Sequence, residues 1–372
     1  MCLTDRMILV RKGTMNNTTG NLTGQCENPI NGLYAYACAY FTLHGYISLA
    51  ICCFGVPTNI VNIIILTRKS MRSPINNILT GIAFSNAITM ISYIPYAIHF
   101  HIDYGHERTS EKYTFGWTWF LAIHANLSVT THTISIWLGV CMSIVRYIYI
   151  KSMGTGKSNI DQTRSVILVV VVFILSMIIY IPTYSLTRVI ESKGNGSITY
   201  QLRNYRLGDT DMPPIEAAAA WIFILVGKIW PCILITVFGS LLLYTLHVSQ
   251  QRAKSLKGAR VEERMRTHRR TTIMLLAIIC MFIVAELPQS ILLLIGIFKE
   301  NFFREEYQLL GDTIDVIALI NNGTNFIMYC AMSRQFRDIF FEMTCKYIPR
   351  QSEEAIYSHV KAVQTKTSHV HL

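Results

Sequence analysis

Seven apolar stretches dominate the chain, each long enough for the roughly 20 residues that cross a bilayer as helix. They run over Leu43–Thr67, Ile75–His101, Trp117–Tyr149, Arg164–Thr187, Ile215–His247, Thr271–Phe298 and Tyr307–Met332, hereafter spans one to seven. Backbone amides in hydrocarbon need partners inside their own segment, which leaves helices or a closed barrel. The ten-residue alternating segments of a barrel are not visible. The expected fold is therefore an all-α membrane protein, a seven-transmembrane helix bundle. Composition agrees. Of 372 residues, 51% are hydrophobic and only 15% charged, too few charges to clothe the two soluble domains that the length would allow. The same figures exclude disorder, and ten cysteines are too sparse for a disulfide scaffold.

Lys and Arg near the span ends set the expected orientation. Arg68, Lys69 and Arg72 follow span one, and Arg146, Lys151 and Lys157 close span three. After span five comes a dense run, Arg252, Lys254, Lys257, Arg260, Arg264, Arg266, Arg269 and Arg270, and Arg334, Arg337, Lys346 and Arg350 follow span seven. All of these fall on one side, which is read as cytoplasmic, so the chain should be a multi-pass plasma-membrane protein with its N-terminus outside and its C-terminus inside. The net charge of +11 is then mostly topological and does not point to nucleic acid.

Met7–Val10 is too short an apolar core for a cleaved signal peptide, so span one is expected to insert the chain by itself. The expected organisation is an extracellular glycosylated tail over 1–42, the seven-helix bundle over 43–332, an amphipathic helix over 333–345 and a flexible cytoplasmic tail over 346–372. Glycosylation acceptors at Asn16, Asn17 and Asn21 lie in the first tail, and Asn195 lies in the loop after span four. All sit on the side that the charge rule makes extracellular. After span seven, Phe336, Ile339, Phe340 and Met343 alternate with Arg334, Arg337 and Asp338 at helical spacing, as in a helix lying on the inner leaflet. Cys345 at its end is a candidate for palmitoylation.

Polar side chains within spans cost a few kcal/mol and each asks for a reason. Here they are Asn59, Asn62, Asn86, Asn126, Ser135, Arg146, Glu286, Gln289, Asn321, Asn322 and Asn325. The scattered Asn and Ser read equally as interhelical hydrogen bonds or as a site. Glu286 stands two residues before Pro288, which removes a backbone bond and kinks span six. Its charge needs water, a cation or hydrogen-bond donors. No inverted repeat suggests a transporter. No His-Glu-x-x-His, Gly-x-Ser-x-Gly or Cys-x-x-Cys run suggests an enzyme, and no cofactor or metal is expected: His99 with His101, and His124 with His132, have no supporting carboxylate at metal spacing.

Several runs together resemble the rhodopsin-like G-protein-coupled receptors from about Gly45 to Cys345. They are Gly55-Val-Pro-Thr-Asn59, Val145-Arg146-Tyr147 where that family has Asp-Arg-Tyr, Pro231 in span five, Pro288 in span six and Asn325-Phe-Ile-Met-Tyr329 where the family has Asn-Pro-x-x-Tyr. Finer runs resemble the invertebrate FMRFamide-like, myosuppressin and sex-peptide receptors, especially nematode members related to dromyosuppressin receptors. Among them are Thr67-Arg-Lys-Ser-Met-Arg-Ser-Pro-Ile-Asn76, Lys228-Ile-Trp-Pro-Cys232 and Glu286-Leu-Pro-Gln289.

The resemblance implies a neuropeptide receptor, not an enzyme, activated by a short amidated peptide and signalling through a heterotrimeric G protein, with the inhibitory Gi/o subtype suggested by the branch. A receptor of the same fold for a non-peptide ligand is the alternative, and a transporter a remoter one. Ser128 occupies the place of the amine receptors' Asp, and span seven has no Lys for retinal. The implied ligand residues are Glu286, Gln289, Ser128, His132, Tyr93, Tyr96, His99, Trp117 and Asp315, with Glu286 or an acid nearer the rim (Glu300, Glu305, Glu306 or Asp312) as partner for a ligand Arg. The implied switch set is Arg146, Tyr147, Asn325, Tyr329 and Pro288. Asn86 replaces the family's sodium-binding Asp, so the network of Asn86, Ser135 and Asn321 should hold sodium weakly. Leu121 replaces the cysteine that usually ties span three to the second outer loop, leaving Cys26 and Cys38 as a candidate disulfide.

Overall fold

In a computed structural model the described residues are 32–106, 109–152, 161–194, 197–203, 213–255, 259–299, 302 and 306–345. They form helices α1 (Gly32–Leu66), α2 (Pro74–Tyr96), α3 (Phe115–Ser152) and α4 (Gln162–Leu186), a hairpin of β1 (Arg188–Gly194) and β2 (Ser197–Arg203), then α5 (Pro214–Ile224), α6 (Trp230–Ser255), α7 (Ala259–Phe298), α8 (Gly311–Met332) and α9 (Arg334–Cys345). Span five is α5 and α6 joined by a wide π turn, Leu225–Ile229, and α2 runs into a second π turn, Ala97–Asp103.

Local chemistry marks the helix starts. Ser73 caps α2 by accepting from the Asn76 amide at 3.1 Å, with Pro74 in the first turn. Asp161 caps α4 through the Arg164 amide at 2.8 Å. Helix α1 runs from Gly32, before the expected Leu43. Its 35 residues extend about 52 Å, well beyond the roughly 30 Å hydrocarbon layer. Tyr36, in the added turns, bonds the hydroxyl of Thr313 in α8 at 2.9 Å.

Burial is inverted relative to a soluble bundle. Val166, Ile167, Val170, Val171, Ile174 and Leu175 of α4 are exposed, whereas Asn59, Asn62, Ser85, Asn86 and Ser135 are buried. Apolar side chains outside and polar ones inside is the arrangement a lipid solvent favours. Among the described residues, six helices are long and apolar enough to cross a membrane. The 22-residue α8 has the length, but Asp312, Asp315, Asn321, Asn322 and Asn325 all turn inward from it and lower its apolarity.

One end of the bundle carries the hairpin and the other carries α9. At the α9 end, Phe336 and Ile339 pack into the main apolar cluster with Tyr329, and Arg337 donates to the Cys330 carbonyl at 2.9 Å, closing the C-terminus of α8. Gln335 donates to the Ser70 carbonyl at 2.8 Å and ties α9 to the first loop. At the other end the hairpin, which the helical reading did not foresee, takes over the place of the missing cysteine bridge. Leu202 is buried in the same apolar cluster as Leu121, the Tyr200 amide donates to the Tyr113 carbonyl at 3.0 Å, and Thr118 donates to the Tyr200 carbonyl at 3.3 Å.

Candidate functional site

Three titratable side chains from three spans meet at one buried point. Lys228 donates to Glu286 Oε2 at 2.9 Å, and His132 Nε2 lies 2.9 Å from Glu286 Oε1. Their side chains are 1%, 3% and 3% exposed. Three spans contribute: α3 carries His132, the π turn of span five Lys228, and α7 Glu286. An ion pair out of water persists only where partners compensate the lost solvation. The cation that the sequence reading asked for beside Glu286 is Lys228, which that reading left out of the site.

The π turn aims Lys228 inward, and its own chemistry holds it open. Trp230 donates to the Leu225 carbonyl in the wide register. The following residue, Pro231, has no N–H to give the Val226 carbonyl. Trp137 Nε1 fills that vacancy from α3 at 3.0 Å. Gly227 lets α4 come close, since a Cβ there would sit 2.5 Å from the Tyr180 hydroxyl. That hydroxyl in turn bonds Thr133 at 2.8 Å, one residue after His132.

The remaining expected ligand residues fall into separate groups. Gln289 donates to the Tyr307 hydroxyl at 3.0 Å, one turn beyond Glu286. Ser128 Oγ lies 3.5 Å from His124 Nδ1, which also bonds Ser92 at 3.1 Å. Tyr96 stacks on the His124 ring at 4.6 Å and meets Tyr93 edge-on at 5.1 Å. His99 stacks on Trp117 at 3.6 Å and hydrogen-bonds the Lys112 carbonyl at 3.0 Å. Asp315 is buried on α8. Of the rim acids, Glu306 pairs with Lys299, whereas Glu300 and Glu305 lie outside the described residues.

The fold supplies carboxylates that sequence spacing did not offer the histidine pairs: Glu286 stands against His132, and a second one reaches His101. Asp312 of α8 and His44 of α1 come to it across the bundle, and one donor atom from each of the three lies within 4.8 Å of the others. Residues on three spans cannot announce this grouping by spacing.

Toward the α9 end, Asn86 accepts from Ser135 at 2.6 Å and donates to the Asn322 carbonyl at 3.3 Å, a carbonyl that Asn59 also reaches at 3.1 Å. The bond from Asn86 to α8 thus runs to the main chain beside Asn321 rather than to the Asn321 side chain. Asn325 and Tyr329 are buried, and Tyr329 packs on Phe336 at 5.2 Å. Arg146 is buried with its guanidinium carbon 5.3 Å from the Tyr149 ring centre, and Tyr147 faces Phe238 at 6.3 Å. Pro288 stands exposed inside α7. Asn126 is a helix-to-helix bond, donating to Thr187 at 2.9 Å. Cys38 is disulfide-bonded. Cys26, the acceptors Asn16, Asn17, Asn21 and Asn195, and the side chain of Cys345 lie outside the described residues.

Seven antiparallel helices around a buried polar seam, with a further helix folded back after the seventh, define a serpentine receptor. The chain belongs to the seven-transmembrane G-protein-coupled receptors: residues 46–347 match the family described as serpentine type 7TM GPCR chemoreceptor Srw. With its apolar helices it is a multi-pass protein of the plasma membrane. It is 31% identical over 345 residues to the G-protein coupled receptor dmsr-1 of Caenorhabditis elegans, covering 81% of this chain and 68% of that one. It is 24% identical to the sex peptide receptor of Drosophila melanogaster over 94% of this chain and 81% of the relative. To the Drosophila melanogaster FMRFamide receptor it is 23% identical, covering 86% and 57%. The fold is similar to that of squid rhodopsin, with a TM-score of 0.61 at 15% identity over 84% of this chain and 87% of that one.

Proposed function

We propose that this receptor detects a short amidated peptide at the hairpin end, facing the outside of the cell, and passes the signal to a heterotrimeric G protein at the α9 end. The single observation that carries the reading is the buried Lys228–Glu286 pair with His132 against it. A ligand cation, such as the Arg of an Arg-Phe-amide terminus, competes with Lys228 for the Glu286 carboxylate. Spans five and six are joined through that pair, so replacing its Lys half with ligand changes how the two helices are held. The ligand shifts the two-state balance only by its differential affinity, about 1.4 kcal/mol for each tenfold. Relatives carrying the names sex peptide receptor and FMRFamide receptor support the peptide class. At the other end Arg146, Tyr147, Asn325 and Tyr329 form the switch set, and the basic residues where α6 ends and α7 begins, Arg252 and Lys254 with Arg260, Arg264 and Arg266, suit anionic lipid and an acidic partner face.

The test is G-protein activation in cells expressing the receptor and exposed to amidated peptides, amines and lipids in parallel. Activation by a peptide with a basic residue next to its amidated end is expected. Activation by an amine or a lipid alone would move the reading to a non-peptide ligand.

A further inference from the structure

We propose a zinc-binding site at the hairpin end of the bundle, formed by His44 of α1, His101 of the π turn after α2 and Asp312 at the start of α8. It lies apart from the Lys228–Glu286 site and rests on different observations. All three side chains are buried, and one donor atom from each lies within 4.8 Å of the others. Nitrogen and oxygen donors around a tetrahedral zinc stand about 3.3 Å apart, given bonds of roughly 2.0–2.1 Å. Small rotations of two imidazoles and a carboxylate close the difference.

The second observation is that His101, 4% exposed, makes no well-formed hydrogen bond through either ring nitrogen, and Nδ1 of His44 makes none either. Buried polar atoms are normally satisfied, and two left over on facing imidazoles ask for a partner, for which a bound ion is one answer. His44 also has the outer contact that metal-binding histidines use. Its Nε2 bonds the Tyr93 hydroxyl at 2.8 Å, which orients the ring and leaves Nδ1 facing away from that bond. The backbone is shaped for the meeting as well. The rings of His44 and His101 approach to 4.6 Å, and a Cβ on Gly45 would stand 2.7 Å from the Cβ of His101. Lys112, a cation on the same side, turns its ammonium to the Gly105 carbonyl at 2.7 Å.

Two imidazoles and one carboxylate favour zinc over calcium or magnesium, which want oxygen donors. Three protein ligands leave a fourth position open to water or to a ligand group. Bound zinc joins spans one, two and seven at the mouth of the bundle, and extracellular zinc then tunes how readily that mouth rearranges.

The test uses purified full-length receptor and zinc alone. Wild type is expected to retain one zinc per chain after dialysis against micromolar metal, and to melt at a higher temperature with zinc than with magnesium. His101→Gln, His44→Gln and Asp312→Asn are each expected to weaken binding by about tenfold or more and to lose the zinc-dependent melting shift. Cobalt substitution of wild type needs no variant: an intense tetrahedral visible spectrum is expected, and a weak octahedral one overturns the site. No retained zinc in wild type, or equal retention in folded variants, overturns it as well.

Discussion

The ammonium of Lys228 and the carboxylate of Glu286 lie 2.9 Å apart between spans five and six, with both side chains almost wholly withdrawn from solvent. Removing one member of such a pair strands the other charge, at a cost of about 3–5 kcal/mol, whereas replacing both by apolar groups is often near neutral. Lys228→Met should therefore lower the thermal stability of purified receptor strongly. The double variant Lys228→Met with Glu286→Leu should recover much of the loss. Additive losses would show that the two charges do not depend on each other.

Gly227 is required by the Tyr180 hydroxyl, 2.5 Å from where a Cβ would stand. Gly227→Ala is expected to cost about 1–3 kcal/mol, the usual range for overpacking. Adding Tyr180→Phe, which deletes the clashing oxygen, should restore part of that in the same melting assay. If Tyr180→Phe brings no recovery, the close approach of spans four and five does not set the π turn.

The hairpin is held by apolar packing where relatives of the wider family use a disulfide. Leu202 shares a buried cluster with Leu121. Leu202→Ala should cost about 2–5 kcal/mol locally, and since 1.4 kcal/mol is tenfold, the Tyr200 amide should exchange its hydrogen at least about tenfold faster. Unchanged exchange at Tyr200 would mean that Leu202 does not hold the hairpin.

Val145 is buried next to Arg146, where an acid would neighbour the guanidinium in the wider family. Val145→Asp should place a carboxylate beside the guanidinium, favour the inactive arrangement and lower ligand-free signalling in a G-protein activation assay. Equal basal activity in the two proteins would remove Val145 from the account of the switch.

The spans and the inward-facing polar seam were legible because bilayer thickness and the cost of polar groups in lipid act on the sequence directly. Glu286 was readable for that reason, His132 entered only through the family resemblance, and Lys228 carried the same signal as Glu286: a lysine inside an apolar run needs a buried acid. The hairpin also had a local mark, Asn195-Gly196 between segments rich in Val, Ile, Thr and Tyr, a strong two-residue turn signal that helical expectations overrode. The early start of α1 and the grouping of His44, His101 and Asp312 were not legible. The first depends on packing such as that of Tyr36 on Thr313, and the second on three spans meeting.

If a ligand cation takes Glu286 from Lys228, activation must depend on the ligand's charge, and a cycle of four concentration–response curves measures that dependence. Wild type and Glu286→Gln, matched for surface expression, are each given an active Arg-containing peptide and its citrulline analogue, which keeps the shape and loses the charge. A preference for Arg of about tenfold or more is expected in wild type, and it should collapse in Glu286→Gln. The same preference in both receptors would contradict the exchange at Glu286.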